Sequence, residues 1–312
     1  MESPTLIYLI DASVYVFRAY HSQLPDMLDS ERRPVHAVFG FARFLGDLLE
    51  RTRPELVAVA FDRRLASSYR NDIYPLYKAN REPPPPDLAA QFDYCRELCA
   101  RLGLAVFVDS RYEADDLIGT LSCLMRRQGI RSAFITRDKD FAQLVRVGDL
   151  YWDFGARGQL GYHEVERRFG VQPERFADYL ALTGDVSDNI PGVPGVGPKT
   201  ASALMREFGS IDELYEGLGR VTALGLRGAR ELRERLREHR ETVYLARRLT
   251  RIVCDMPLEV TPQDLRPRVP DLAALGTLYD RLRFGSLLRS QGERLAARVA
   301  EGGGGPAPDA GA

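Results

Sequence analysis

Four short apolar segments alternate with helical patterns through the first half of this 312-residue sequence. Each segment is predicted to be a strand that is buried on both faces of a parallel sheet. The segments are Leu6–Ile10, Leu56–Phe61, Leu104–Val108 and Ser132–Thr136. The helical patterns between them lie at about Val35–Arg51, Pro86–Leu102 and Ala114–Arg127. This alternation predicts an α/β fold with a doubly wound parallel sheet.

From about Phe169 onward the strand patterns stop and helical segments follow, separated by glycine turns. The predicted helices are Arg175–Thr183, Lys199–Phe208, Ile211–Leu218 and Gly228–Arg248, with further helices to about Val299. We therefore expect an α/β core over residues 1–170 and a helical region over 171–300. The glycine- and proline-rich residues 301–312 cannot build a core and are expected to be a disordered tail.

Composition excludes several other classes of protein. No apolar run approaches the length of a membrane span, and the N-terminus lacks a basic region and a cleavage site, so we expect a cytoplasmic protein without a membrane partner. The four cysteines fit neither a zinc-binding spacing nor a disulfide framework. They are Cys95, Cys99, Cys123 and Cys254.

Acidic residues follow all four predicted strands. Asp11 and Asp62 come directly after the first two strands, and Asp138 and Asp140 follow the fourth. The third strand is followed by Glu113, Asp115 and Asp116. Because the carboxyl ends of parallel strands meet at one edge of a sheet, these side chains should converge there.

The carboxylates support two interpretations. Taken singly, each could be an ordinary helix cap or could close a turn. Taken together, so many acids at one edge would repel each other unless a cation were bound. Carboxylates without histidine or cysteine favour a hard cation such as Mg²⁺ or Mn²⁺, and their excess indicates two ions. Two such ions are the common device for phosphodiester hydrolysis.

The segment Leu182–Ala201 joins two further acids, Asp185 and Asp188, to a glycine-rich turn that opens a helix. The turn glycines permit close backbone approach, and the first N–H groups of the helix, with Lys199, can receive a phosphate. The segment differs from a nucleotide-binding P-loop at one residue. A P-loop has glycine directly before its lysine, whereas Pro198 precedes Lys199 here. We interpret residues 185–208 as a helix–hairpin–helix that binds a nucleic-acid backbone. The alternative is an ordinary interhelical turn.

Net charge is compatible with a nucleic-acid partner only if the acidic site is real. The chain carries 43 basic and 44 acidic residues, a formal charge of −1. Without the nine acids assigned to the site, 35 acidic residues remain and the balance is +8. Bound divalent ions would offset much of the acidic cluster.

A basic and aromatic insert, at about residues 63–86, separates the second strand from the next helix. Arginines and lysines alternate there with tyrosines, and four prolines follow at Pro83–Pro86. Tyrosine stacks on bases and the cations hold phosphates, so the insert suits single-stranded nucleic acid. The alternative is a solvated loop whose aromatic side chains pack against the domain.

These residues together resemble the 5′-nuclease superfamily, which includes the 5′→3′ exonuclease domain of bacterial DNA polymerase I and the flap endonucleases. The matching motifs are Asp11 with Arg18–His21, Phe61–Asp62, Tyr69–Arg70, Tyr77–Arg81, Glu113–Asp116, Thr136–Asp140, Gly184–Asn189 and Gly192–Thr200. The resemblance implies a parallel-sheet nuclease core of the PIN type with a helical arch over the insert. An all-α helix–hairpin–helix region would follow it.

The resemblance also implies roles for individual residues. The first metal would be surrounded by Asp11, Asp62, Glu113 and Asp115, and the second served by Asp138, Asp140, Asp185 and Asp188. Lys78 and Arg81 would reach the scissile phosphate, Asp116 would support catalysis from the second shell of ligands, and Tyr77 would stack on the frayed terminal base. The DNA contacts would come from Arg18, Arg70, Tyr77, Gly192, Gly195, Gly197, Lys199 and Thr200. A K⁺ ion would lie at the hairpin.

The expected activity is that of a structure-specific 5′ nuclease, a 5′→3′ exonuclease and flap endonuclease with two Mg²⁺ or Mn²⁺ ions, in replication and repair. Its partners would be DNA with 5′ flaps, nicks or frayed 5′ ends, RNA–DNA primer hybrids, and polymerase or repair proteins. We expect a monomer at the nucleoid, free-standing and without a polymerase domain. The alternatives are a catalytically weak DNA-binding paralogue and an RNase on the same fold.

Overall fold

A computed structural model describes residues 5–22, 26–63, 68–155 and 158–301. Its centre is a parallel sheet of five strands in the order β3-β2-β1-β4-β5. The strands are β1 (Leu6–Asp11), β2 (Leu56–Asp62), β3 (Ala105–Asp109), β4 (Arg131–Ile135) and β5 (Leu150–Trp152). The four predicted strands are confirmed to within one residue. The sequence analysis missed β5, because three residues are too few to show a periodic pattern.

Thirteen α-helices lie in the described part of the chain. They are α1 (Ala12–Ser22), α2 (His36–Thr52), α3 (Tyr69–Ile73), α4 (Pro86–Arg101), α5 (Ala114–Arg126), α6 (Tyr162–Phe169), α7 (Phe176–Thr183), α8 (Pro198–Phe208), α9 (Ile211–Glu216), α10 (Ala229–Glu238), α11 (Arg240–Thr250), α12 (Leu272–Arg281) and α13 (Ser286–Glu301). The helices predicted between the strands are confirmed as α2, α4 and α5. The sequence analysis did not predict α1, α3 or α6.

Two hydrophobic cores cover the two faces of the sheet. One core contains side chains of α1, α2 and α4, and residues of α12 and α13 join it. The other contains α5 and continues without a break through α7, α8 and α11. The last helix is also tied to α2 by polar contacts, since Gln291 donates to Asp47 at 3.1 Å and Arg294 to Glu50 at 2.7 Å. The helical part of the chain thus packs on both faces of the sheet.

Two predictions for the helical region were wrong in detail. The charged segment Gly228–Arg248 is not one helix, because it breaks at His239 between α10 and α11. Residues 251–271 are not helical apart from one short 3-10 turn at Pro262–Leu265. Four prolines in this segment, at positions 257, 262, 267 and 270, account for the interruption because proline cannot donate an intrahelical hydrogen bond.

The hairpin between α7 and α8 is closed by backbone packed on backbone. Gly184 has a positive φ of 70°, and a Cβ built on Gly192 would lie 2.4 Å from the carbonyl carbon and oxygen of Thr183. Val193 and Val196 are buried beneath the turn. Glycine at 192 is therefore required for the two chain segments to approach.

Two further expectations concern the tail and membranes. The predicted disordered tail falls almost wholly on residues 302–312, which lie outside the described residues. Within the described ranges, no helix combines the length and the apolar character that crossing a membrane requires.

Substituting Gly192→Ala should lower the free energy of unfolding by about 2–3 kcal/mol, because the added Cβ overlaps backbone atoms that cannot move aside. Gly197→Ala is the matched control: its Cβ would have nothing within 4 Å, so the cost should stay below about 1 kcal/mol. Urea denaturation of the two variants measures the difference. Equal losses would show that the close approach at Gly192 is not needed.

Candidate active site

A cavity of about 650 Å³ opens at the carboxyl edge of the sheet. Seven of the eight predicted metal-binding carboxylates line it, together with Lys78, Arg81, Tyr77 and Arg18. The seven are Asp11, Asp62, Glu113, Asp115, Asp138, Asp140 and Asp188. The structure therefore brings together residues that are up to 177 positions apart in the chain. Asp185 lies outside the cavity wall.

The strand ends supply two carboxylates with different surroundings. Asp11 ends β1, is buried, and accepts a hydrogen bond from the hydroxyl of Thr136 at 2.8 Å. Burial, and then the neighbouring Asp62, raise the pKa of Asp11 to about 8. Asp62 ends β2 and accepts the backbone N–H of Ala114 at 2.8 Å. One oxygen of Asp62 thus caps α5, as the structural alternative predicted.

The first turn of α5 carries three acids with distinct positions. Glu113 and Asp115 face the cavity, whereas Asp116 is completely buried. Glu113 is the N-cap of the helix, and its backbone N–H is bound by Asp116 at 3.2 Å. Burial, followed by the charge of Asp116, raises the pKa of Asp115 well above its ordinary value. The positive end of the helix dipole stabilises this cluster only in part.

A buried arginine balances the charge of that turn. Arg70 is 1% exposed and binds Asp116 with two parallel hydrogen bonds of 2.8 Å. It also reaches Glu113 at 3.1 Å and the carbonyl oxygen of Leu249 at 2.9 Å. In this conformation the donors of Arg70 are engaged inside the protein, so the predicted DNA contact would require them to be released. Asp116 lies below the cavity and binds Arg70.

Three residues of the insert close the cavity from above. Lys78 donates to Glu113 at 2.9 Å, and Arg81, 42% exposed, pairs with Asp188. Burial opposes a charged lysine, but Glu113 and then Asp188 raise the pKa of Lys78 above its ordinary value. Tyr77 is 4% exposed and its hydroxyl donates to Glu113 at 2.9 Å. The ring of Tyr77 lies in the core in this conformation, so the predicted base stacking would require it to turn outward.

The predicted arch is short in the described part of the insert. Residues 64–67 lie outside the described residues, and from Ser68 onward the one helix of the insert is α3. The segment after α3 lies against the turn at 185–190. The backbone N–H of Lys78 donates to the carbonyl oxygen of Asp188 at 2.9 Å, and the side-chain amide of Asn189 donates to the carbonyl oxygen of Leu76 at 2.7 Å. The insert and the hairpin therefore form one wall of the cavity.

The loop after β4 adds two acids and one lysine. Asp138 caps the following 3-10 helix and accepts the N–H of Asp140 at 2.9 Å. Burial, and then Asp138 and Asp185, raise the pKa of Asp140 well above its ordinary value. One buried oxygen of Asp140 has no hydrogen-bond partner among the described residues. Lys139 binds Asp185 at 2.5 Å. The sequence analysis missed Lys139 and Thr136, although both belong to the motif that it quoted.

The carboxylates fit a hard cation in their chemistry. The donor set consists of oxygen atoms alone, and one buried oxygen of Asp140 lacks a partner within the described part of the chain. Burial disfavours the charged forms of Asp11 and Asp140. In the described residues, no three acidic, histidine or cysteine side chains are grouped closely enough to hold a metal as they stand. Instead, several of the carboxylate oxygens form ion pairs with Lys78, Arg81 and Lys139. Metal binding would require some of these ion pairs to open.

The predicted DNA contacts of the hairpin lie at the surface. Gly195, Gly197 and Lys199 are exposed, and Gly192 and Thr200 are half-buried. The helix α8 begins at Pro198, as the sequence predicts. Arg235 was not predicted here, but its guanidinium lies so close to Gly195 that an added Cβ would be 2.6 Å away. Arg18 is at the rim of the cavity, where it donates to the carbonyl oxygen of Phe154 at 3.1 Å.

Comparison with sequence families gives two adjoining matches. The family described as 5′-3′ exonuclease, N-terminal resolvase-like domain, matches residues 6–170. The family described as 5′-3′ exonuclease, C-terminal SAM fold, matches residues 171–273. Together they cover most of the chain.

Curated relatives are DNA polymerases. The thermostable DNA polymerase I of Thermus filiformis is 39% identical over 294 residues, which is 93% of this chain and 34% of that protein. DNA polymerase I of Caldicellulosiruptor bescii is 34% identical over 292 residues, or 92% of this chain and 33% of that protein. The chain thus spans about a third of the length of the relatives it matches.

Solved structures share the fold. The T5 D15 protein co-crystallised with metal ions aligns with a TM-score of 0.65 and 20% identity, over 93% of this chain and 99% of that one. The catalytic core of Rad2 in complex with a DNA substrate aligns with a TM-score of 0.58 and 15% identity, over 95% and 92% of the two chains. The predicted fold class, a parallel-sheet nuclease core followed by a helical region, is confirmed.

Replacing Arg70 with methionine should cost about 3–5 kcal/mol of stability, because Asp116 is left buried without its partner. Arg111→Met removes an arginine that pairs with Asp72 at the surface, so its cost should be below about 0.5 kcal/mol. Chemical denaturation of both variants gives the comparison. A small loss at Arg70, similar to that at Arg111, would contradict the assigned role.

Asp11→Asn should stabilise the metal-free protein by about 1–3 kcal/mol at pH 8 and by less at pH 5. The folded pKa of Asp11 is raised to about 8, so the stability that wild type has at low pH is lost as pH rises toward 8. Asparagine removes this dependence. Thermal unfolding in EDTA at the two pH values tests it, and Mg²⁺ should then stabilise wild type more than the variant. A variant less stable than wild type in EDTA at pH 8 would contradict the prediction.

Proposed function

We propose that this chain, which belongs to the 5′-3′ exonuclease family, is a metal-dependent 5′ nuclease that hydrolyses DNA at 5′ flaps and free 5′ ends. The observation that carries the proposal is the cavity at the sheet edge, where seven carboxylates meet Lys78 and Arg81. A phosphodiester is negatively charged, as are the carboxylates that line the cavity. The cavity would therefore bind a phosphodiester only when metal ions on these carboxylates make the local charge positive.

We assign the carboxylates to two Mg²⁺ or Mn²⁺ ions. Asp11, Asp62, Glu113 and Asp115 would hold the first, and Asp138, Asp140, Asp185 and Asp188 would serve the second, directly or through water. When bound, such ions supply an activated water and stabilise charge on phosphate oxygens. Asp185 is tied to Lys139, so its contribution would depend on that lysine turning away.

The cations of the insert would position the substrate. Lys78 and Arg81 are held at the cavity mouth by Glu113 and Asp188. With these carboxylates engaged by metal, Lys78 and Arg81 would be free to turn toward the scissile phosphate, where the guanidinium fork of Arg81 suits a phosphate. Arg18 at the rim would bind a neighbouring phosphate. Asp116 and Arg70 would act from below by fixing the first turn of α5.

The hairpin would hold duplex DNA through its backbone. Gly195, Gly197, Lys199 and Thr200 lie where α8 begins, so the first N–H groups of the helix, which have no intrahelical partner, lie beside an exposed lysine. Such contacts position DNA without reading sequence. Gly192 supports the hairpin from inside, and a K⁺ ion bound at the turn would neutralise an adjacent phosphate.

The substrates proposed are DNA with 5′ flaps, nicks or frayed ends, and RNA–DNA primer hybrids, in replication and repair. We propose that the protein acts as a monomer with polymerase or repair partners. DNA as substrate would place it in the cytoplasm at the nucleoid. The division into residues 1–170 and 171–300 follows the same assignment of nuclease core and DNA-binding region.

The test is cleavage of a DNA flap labelled at its 5′ or its 3′ end, with Mg²⁺ or with EDTA. We expect Mg²⁺-dependent cuts near the junction that release the intact flap. Asp140→Asn should slow them about 100-fold or more, since it removes a charged ligand. Asp72→Asn, which alters an exposed acid outside the cavity, should cleave at the wild-type rate.

Other results would favour the alternatives. Binding of the flap without cleavage at any Mg²⁺ or Mn²⁺ concentration would support a catalytically weak DNA-binding paralogue. Faster cleavage of a matched RNA flap would support an RNase. Equal rates for Asp140→Asn and wild type would contradict the assignment of the carboxylates.

A further inference from the structure

Two half-buried cysteines meet at a cavity that plays no part in the proposed nuclease reaction. This second cavity, of about 720 Å³, lies between α5 and the chain that follows α11. Cys123 and Cys254 both line it. The sequence gives no reason to pair them, because 130 residues separate the two.

Backbone packing brings the two cysteines together. A Cβ on Gly119 would lie 2.8 Å from the carbonyl oxygen of Val253 and 3.3 Å from the sulfur of Cys254. The hydroxyl of Thr120 donates a hydrogen bond to the carbonyl oxygen of Val253 and accepts one from the backbone N–H of Met256. Cys123 lies one turn beyond Gly119 on the same face of α5. The course of the chain along the helix therefore brings Cys254 beside the face of α5 that carries Cys123.

The surroundings of Cys123 favour its thiolate. A guanidinium nitrogen of Arg126 lies 3.8 Å from its sulfur, and Arg127 and Arg146 line the cavity. The neighbouring Cys254 thiol, and then these arginines against the opposing effect of burial, lower the pKa of Cys123 to about 6. The neighbouring Cys123 in turn raises the pKa of Cys254. A thiolate is the reactive form of cysteine, and here a second thiol lies beside it.

We propose that Cys123 and Cys254 are a redox-sensitive pair that closes an intrachain disulfide when the protein meets a hydroperoxide. The Cys123 thiolate attacks the O–O bond and becomes a sulfenic acid, and one water leaves. The Cys254 sulfur then attacks that of Cys123, the S–S bond forms, and the hydroxyl leaves as a second water. Two thiols are oxidised and one hydrogen peroxide is reduced to two waters.

The chain contains its own control pair. Cys95 and Cys99 lie one turn apart on α4, and both are completely buried. Burial raises the pKa of both thiols above the ordinary value. They should therefore stay reduced under conditions that oxidise the first pair.

Hydrogen peroxide treatment of the whole protein, followed by thiol blocking, trypsin and mass spectrometry, tests the proposal. We expect the tryptic peptides 112–126 and 252–268 to become linked, and dithiothreitol to separate them. Cys254→Ser should accumulate a sulfenic acid at Cys123 that dimedone traps, whereas Cys123→Ser should form none. Absence of the linked peptides, or equal oxidation of Cys95 and Cys99, would overturn the proposal.

Thermal stability provides a second readout that needs neither DNA nor metal. The disulfide closes a long loop, so the oxidised protein should melt roughly 5 °C or more above the reduced one. The double variant Cys123→Ser/Cys254→Ser should show no shift with peroxide. Linked peptides without a shift in Tm would confirm the bond, whereas a shift that persists in the double variant would assign the effect to another residue. A failure of the nuclease assay leaves this result unaffected.

Discussion

The buried guanidinium of Arg70 is the contact on which the active site depends. It joins the short helix of the insert to the first turn of α5 and to two carbonyl groups at the end of α11, those of Leu249 and Arg251. Three acids follow one another within four residues at that turn, and a helix N-terminus alone does not neutralise them. Arg70 supplies the missing charge from inside, where a bidentate pair is strong and its loss leaves an uncompensated ion. One side chain thus connects the insert, the nuclease core and the helical region.

Positive side chains do not fully neutralise the carboxylates of the cavity, which lies above the Arg70–Asp116 ion pair. Lys78, Arg81 and Lys139 each pair with a carboxylate, yet Asp11 and Asp140 still favour their protonated forms. This deficit is the physical basis for proposing divalent ions, because a cation would stabilise the same charges that the three side chains now share. It also shows that the net charge of −1 does not exclude the proposed DNA substrate, since the acids are concentrated at one edge.

Packing decides where the side chains of the insert lie. Arg70 and Tyr77 belong to a basic, aromatic segment whose composition suits single-stranded DNA, but both point into the core and bind the acids of α5. The structural alternative, aromatic side chains packed against the domain, describes Tyr77 better. Three of the acids accept a hydrogen bond that caps a helix or closes a turn, and they also belong to the acidic group: Asp138, Asp62 and Asp185. A structural cap and a metal ligand are therefore compatible interpretations of the same side chain.

The sequence by itself determined the parallel sheet, the edge at which the acids converge, and the glycine hairpin before α8. These features follow from short-range patterns: the apolar periodicity of each strand, the position of an acid directly after it, and the backbone freedom of glycine. Only the tertiary structure decided which charged groups are buried, which helices return to cover α2, and that Cys123 meets Cys254. Such contacts join distant parts of the chain, and burial and partner set the charge state of a side chain, so no local pattern records them.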